Sequence, residues 1–299
     1  LKRREFLAGG GAMGLTAVLP LASGTTEKKS FNLVYAPHFG LFTSHAGEDL
    51  IDQLNFIADA GFTAIEDNDM MERPVAEQQK ISVEMSRLNL KMGVFVAYAE
   101  FRTQTFVRAP EFIKENLQKR MHKAVEVAKR VNAEWCTVVP GTYDPGVAWE
   151  YQTANVIENL KWCAEICEPA GLTMVLEPLN PWHDHPGMFL SRIPQAFQIC
   201  RAVDSPTCKI LDDLYHQQIT EGNLIPNIDL AWSEIGYFQV GDNPGRNEPT
   251  TGEINFLNIF KHLHSKGYSG IIGMEHGKSL EGLEGENAVL AAYREVDGF

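Results

Sequence analysis

Four side chains in the second half of the chain share one arrangement: each ends an apolar run. Thr173-Met174-Val175-Leu176 leads into Glu177, Ile210-Leu211-Asp212 into Asp213, Tyr237-Phe238 into Gln239, and Ile272-Gly273-Met274 into Glu275. A carboxylate buried at the end of an apolar strand costs several kcal/mol unless it is paired or bound to a metal. Three of them brought to one place also repel one another. A divalent cation resolves both problems, and an all-oxygen donor set suits Mn²⁺ or Mg²⁺ better than an ion that prefers thiolates. Glu177 taken alone reads as well as a helix cap or loop carboxylate; it is the repetition on four successive runs that points to a metal.

Such residues need a scaffold that delivers strand ends to one rim. From Phe31 onward, short β-rich apolar runs alternate with longer amphipathic stretches. The runs predict strands at 32–36, 64–67, 93–97, 136–139, 173–177, 209–213, 237–240 and 271–275. Helical patterns lie between them at 50–60, 111–131, 154–168 and 193–203. In the second of these, Phe112, Ile113, Leu117, Met121, Ala124, Val125 and Ala128 recur at three and four, the spacing of a helix stripe. Eight strand–helix repeats require parallel pairing, because every crossover must carry the chain back over the sheet. Eight is the number that closes, so the fold class expected is α/β, a (β/α)8 TIM barrel. No linker or charge block interrupts the series, which predicts a single barrel domain over 29–299. An open doubly wound sheet would carry a Gly-x-Gly-x-x-Gly after a strand, and none is present. In such barrels the site forms at the C-terminal strand ends, where the four residues fall.

The segments Leu176-Glu177-Pro178-Leu179-Asn180, Asp213-Leu214-Tyr215-His216-Gln217-Gln218 and the long run from Phe238-Gln239-Val240-Gly241-Asp242-Asn243 through Arg246 to Asn255 resemble hydroxypyruvate isomerase, of the xylose-isomerase-like barrel superfamily. The resemblance is strongest over 175–275. It implies that Glu177, Asp213, Gln239 and Glu275 are metal ligands, that Glu177 and Glu275 are also the acid–base pair, and that His216 and Arg246 contact substrate. The chemistry implied is conversion of hydroxypyruvate to 2-hydroxy-3-oxopropanoate through an enediolate. Removing a proton next to a carbonyl is helped by a metal acting as Lewis acid on the substrate oxygens. Two carboxylates on opposite sides can take and return that proton. Arg246 offers a planar fork for a carboxylate or hydroxyl pair.

The loop after the fifth strand, Asn180 to Gly187, holds His183 and His185, candidates to reach substrate against the alternative of ordinary loop histidines. Phe39, Phe101 and Trp182 could wall the pocket or belong to the core. His276 follows Glu275 directly and is not counted as a ligand. Gly252 to Asn255 reads as a helix start, with Glu253 favourable at the positive end of the dipole. A ketose 3-epimerase or a lyase on an oxidised sugar would use the same metal and carboxylates. A non-catalytic sugar-binding barrel would tolerate loss of a carboxylate, and the whole set is present.

The chain has 299 residues and a formal charge of −13, an acidity that disfavours a nucleic-acid partner. Arg3-Arg4-Glu5-Phe6-Leu7, then an apolar stretch to about Ala22 and small residues after it, reads as a twin-arginine export signal over 1–28. That apolar stretch is short of the ~20 residues that span a bilayer, so no membrane anchor is expected. The expectation is a periplasmic or secreted protein, with the twin-arginine export machinery as the precursor's partner. The functional partner expected is a small hydroxy-carbonyl acid or sugar. The oligomeric state is left open, a homo-oligomer included. Five cysteines, Cys136, Cys163, Cys167, Cys200 and Cys208, have neither zinc-site spacing nor a disulfide framework and read as buried thiols.

Overall fold

The structure is a computed structural model and describes residues 30–299. The expected signal segment lies outside the described residues. Nine strands occur among them: β1 Val34–Pro37, β2 Ala64–Ile65, β3 Lys91–Met92, β4 Val96–Ala99, β5 Trp135–Val139, β6 Thr173–Leu176, β7 Cys208–Asp213, β8 Ile235–Gln239 and β9 Ile271–Met274. The helices are α1 Thr43–Ala46, α2 Leu50–Asp59, α3 Val75–Leu88, α4 Lys114–Val131, α5 Trp149–Cys167, α6 Ile193–Val203, α7 Leu214–Thr220, α8 Leu224–Ala231, α9 Phe256–Ser265 and α10 Gly282–Val296.

Every ladder is parallel. One sheet has the order β1-β9-β8-β7-β6-β5-β4, and β2 and β3 pair with each other. Single hydrogen bonds carry this pair into the gap between β1 and β4. Glu66 N donates to Pro37 O at 3.0 Å, Gly93 N to Ile65 O at 2.6 Å, Val96 N to Asn68 O at 3.2 Å and Thr137 N to Phe95 O at 2.8 Å. The fold is thus a TIM barrel in which β3 and β4 are two pieces of the third of eight staves.

The break in that stave corrects the single strand expected at 93–97, and its cause is steric. Tyr237 points into the barrel, where it packs with Ala36, Ala64, Val94, Val175, Leu211 and Ile271. A Cβ at position 93 would overlap the Tyr237 hydroxyl, so only glycine fits there. Side-chain layers fill barrels of this class, and here one large ring does much of the filling. The larger core lies between strands and helices, with Leu117, Met121 and Ala124 of α4 fully buried in it. Phe112 does not join that stripe; it sits in a short 3₁₀ turn before α4, 64% exposed, under the Arg108 guanidinium. The start expected at 252–255 is also shifted, since Asn255 caps α9 by accepting from Asn258 N. Glu253 instead accepts from Asn243 Nδ2 and Gln218 Nε2. All five cysteines are free and buried. No helix among the described residues is long and apolar enough to cross a membrane.

Candidate active site

The ends of β6 to β9 carry their polar residues to one side of a cavity of about 170 Å³. Glu177, Gln239 and Glu275 line it, together with His216, His185, Arg246, Asn68 and Phe101. Asp213 is fully buried, not part of that lining, and also caps α7, accepting from Tyr215 N at 2.9 Å. One ligand atom from each of Glu177, Asp213 and His216 falls within 4.8 Å of the others.

Arg246 holds the carboxylates together in this structure. Its Nη2 donates to Asp213 Oδ2 at 3.1 Å and to Glu275 Oε2 at 2.9 Å, and its guanidinium lies over the Tyr215 ring. Burial works against its charge, but Asp213, Glu275 and Glu177 outweigh that and raise its pKa further. Glu177 shows the converse. Burial, then Glu275 and Asp213, push its carboxyl well above the usual range. Asp213 is raised by burial, with Arg246 pulling the other way.

His216 is fully buried and its tautomer is fixed from outside the site. The Asn180 side chain accepts from His183 N and Asp184 N through Oδ1, which leaves its Nδ2 to donate to Asp184 Oδ2 and to His216 Nδ1, each at 2.7 Å. Because Nδ1 accepts, the proton is on Nε2. That N–H faces Asp213 Oδ2 at 3.5 Å and Glu177 Oε1 at 3.8 Å and has no hydrogen-bond partner. Burial, and then Arg246, lower the His216 pKa to about 3, which keeps the ring neutral. A neutral ring with Nε2 protonated is a hydrogen-bond donor on that side and offers no lone pair there.

His185 lines the cavity, stacked on Phe101 and edge-on to His216. His183 does not; it is exposed, pairs with Asp184 and borders a separate groove with Gln218 and Glu253. Trp182 is 75% exposed. Phe39 lies outside this cavity, under the Arg73 guanidinium.

The donor set fits a divalent cation on grounds internal to the site. Glu177, Asp213 and Glu275 supply carboxylate oxygens, and Gln239 Oε1 is buried with no partner. A buried carbonyl without a partner, lining the same cavity as Glu177 and Glu275, is open to a cation. Sequence reasoning gave little weight to Asn68 and Glu66. Asn68 Nδ2 donates to Glu275 Oε1 at 2.8 Å, and Glu66 is buried against Gln239. Their signal is the same one, polar residues just past an apolar run, but on a stave only two residues long.

Residues 54–294 match a family model described as xylose isomerase-like TIM barrel. A 2-oxo-tetronate isomerase of Pectobacterium atrosepticum is 30% identical over 242 residues, 78% of this chain and 89% of that protein. The hydroxypyruvate isomerase of Escherichia coli is 31% identical over 162 residues, covering 54% of this chain and 62% of that one, less than two thirds of its length. Among solved structures, a family 2 AP endonuclease of Brucella melitensis superposes with a TM-score of 0.73 at 23% identity, covering 85% of this chain and 96% of that one, a likeness of fold.

Proposed function

Because the chain belongs to the xylose isomerase-like TIM barrel family, we propose that it isomerises a small hydroxy-carbonyl acid of the hydroxypyruvate or 2-oxo-tetronate kind by moving a proton between neighbouring carbons. That it is an isomerase follows from its named relatives; the substrate, the metal and the proton path are the proposal. The observation that carries it is the placement of Glu177 and Glu275 in the lining of one cavity together with a histidine N–H donor.

Glu177, Asp213, Glu275 and the Oε1 of Gln239 would hold Mn²⁺ or Mg²⁺. When bound, the ion supplies Lewis-acid stabilisation of negative charge on substrate oxygens. Glu177 and Glu275 reach the substrate from different strands, so one carboxylate can take the carbon-bound proton while the other returns it. The His216 Nε2–H donates to a substrate oxygen, and its buried neutral ring keeps that donor in place. The Arg246 fork pairs with the substrate carboxylate. Leu179, Val139 and Phe101 wall the cavity and limit water around the reacting carbons.

A panel of three- and four-carbon hydroxy-carbonyl acids and ketoses, incubated with Mn²⁺ in deuterated water, tests this. Turnover of an acid with deuterium placed on carbon next to the carbonyl is expected. Turnover of ketoses alone would move the reading to a 3-epimerase, and no exchange with any compound would remove it. Export is a separate proposal resting on Arg3 and Arg4. Replacing both with Lys should trap the precursor in the cytoplasm, and unchanged export would sink it.

A further inference from the structure

Gln239 differs from its three partners in one chemical respect: an amide has a wrong end. A carboxylate offers oxygen whichever way it turns, whereas a half-turn of the Gln239 side-chain amide would aim NH₂ at a cation. Something must hold the carbonyl inward. Glu66, just past the end of β2, is 1% exposed and meets the NH₂ end of that amide. Gln239 Nε2 donates to both its oxygens, at 3.4 and 3.3 Å, and the Tyr237 hydroxyl donates to Oε2 at 3.2 Å. Gly273 makes the room, since a Cβ there would overlap the Glu66 carboxylate. The other end of the amide, Oε1, is buried with no partner.

From this geometry we infer that Glu66 is a positioning residue, which locks the Gln239 amide with its carbonyl oxygen toward Glu177, Asp213 and Glu275, so that the site takes a divalent cation through oxygen alone. The inference rests on the metal reading proposed above and adds a residue that touches neither metal nor substrate. Groups that orient metal ligands in this way are worth roughly 10–100-fold in metal affinity.

The test is Mn²⁺ binding followed by electron paramagnetic resonance on the whole protein, with a melting curve as folding control. Glu66→Ala should weaken binding by roughly 10–100-fold. Glu66→Gln should stay within about threefold of the parent, because its oxygen still accepts from Gln239 while its amide turns to the Tyr237 oxygen. A loss in Glu66→Gln as large as in Glu66→Ala would show that only the negative charge matters and would overturn the inference. In a Gln239→Glu background there is no wrong end, so Glu66→Ala should no longer weaken binding. An equal loss in both backgrounds overturns the inference. If the parent binds Mn²⁺ and folded Glu66→Ala binds it as tightly, the positioning role fails while the metal site stands. If the parent binds no Mn²⁺, both fail.

Discussion

On one side of the barrel mouth, β6 to β9 are four to six residues long, and each ends on, or one residue before, an oxygen-bearing side chain of the site. On the other side β2 and β3 are two residues each, and β3 and β4 divide one stave between them. The regular side delivers the groups proposed to do chemistry. The irregular side delivers groups that hold them, Asn68 on Glu275 and Glu66 on Gln239. The parallel ladders of β7 with β8 and β8 with β9 hold Asp213 and Gln239 in register at their strand ends. A short stave with single hydrogen bonds lets a side chain such as Glu66 reach across the barrel into space that Gly273 leaves open.

If that division holds, the largest effects come from the regular side. Glu177→Gln and Glu275→Gln keep an oxygen and nearly the same shape but remove the base. Each should lower turnover by roughly 10²–10⁴-fold, with metal binding weakened far less. A metal-loaded variant that exchanges its substrate proton with deuterated water at near the parent rate would falsify the paired-carboxylate mechanism. Next in size is Asp242, on the same side. Its fully buried carboxylate accepts from Asn243 N, Gly252 N and Ile254 N and so ties down the loop that carries Arg246. Asp242→Ala should destabilise the fold by about 1–3 kcal/mol, the cost of leaving buried donors unpaired. KM should rise more than kcat falls. An unchanged melting temperature would mean the loop is held by other contacts.

On the irregular side, removing one support should matter less. Asn68→Ala takes away a single hydrogen bond to the partly exposed Glu275 carboxylate, worth about 1 kcal/mol, or roughly fivefold in kcat/KM. A loss as large as that of Glu275→Gln would break the division between the two sides.

The two sides also differ in how far the sequence discloses them. Four apolar runs ending in Glu177, Asp213, Gln239 and Glu275 read directly as staves of a barrel, because each is long enough to show its pattern. The stave at 91–99 does not, since its break depends on Tyr237, which is remote in the chain and meets Gly93 only in the folded barrel. Phe112 matched a helix stripe by spacing, yet the turn at Pro110 starts the helix after it. His216 was legible as a candidate, but its tautomer depends on Asn180 and Asp184, whose hydrogen bonds no linear pattern records. Glu66 falls in the same class, for its partners come from β8 and β9.

The smallest effect expected is at His183, and it separates proximity in sequence from membership of the site. His183 and His185 are two residues apart on one loop, and both were candidates for substrate contact. The loop turns between them: Asn180 Oδ1 accepts from His183 N and Asp184 N, and His185 N donates to Asn180 O, so the chain folds back over Asn180. That fold puts His185 against Phe101 and His216 and leaves His183 outside, its side chain 75% exposed and paired with Asp184 Oδ1. An exposed histidine–carboxylate pair contributes little, and substitutions at such positions stay within about 0.5 kcal/mol, roughly twofold. His183→Ala should therefore leave kcat/KM within about twofold of the parent. His185→Ala, which opens one wall of the cavity beside His216, should exceed that. Equal and large losses in the two variants would mean that the loop closes over the substrate with both rings inward, and the site would then extend beyond the cavity described.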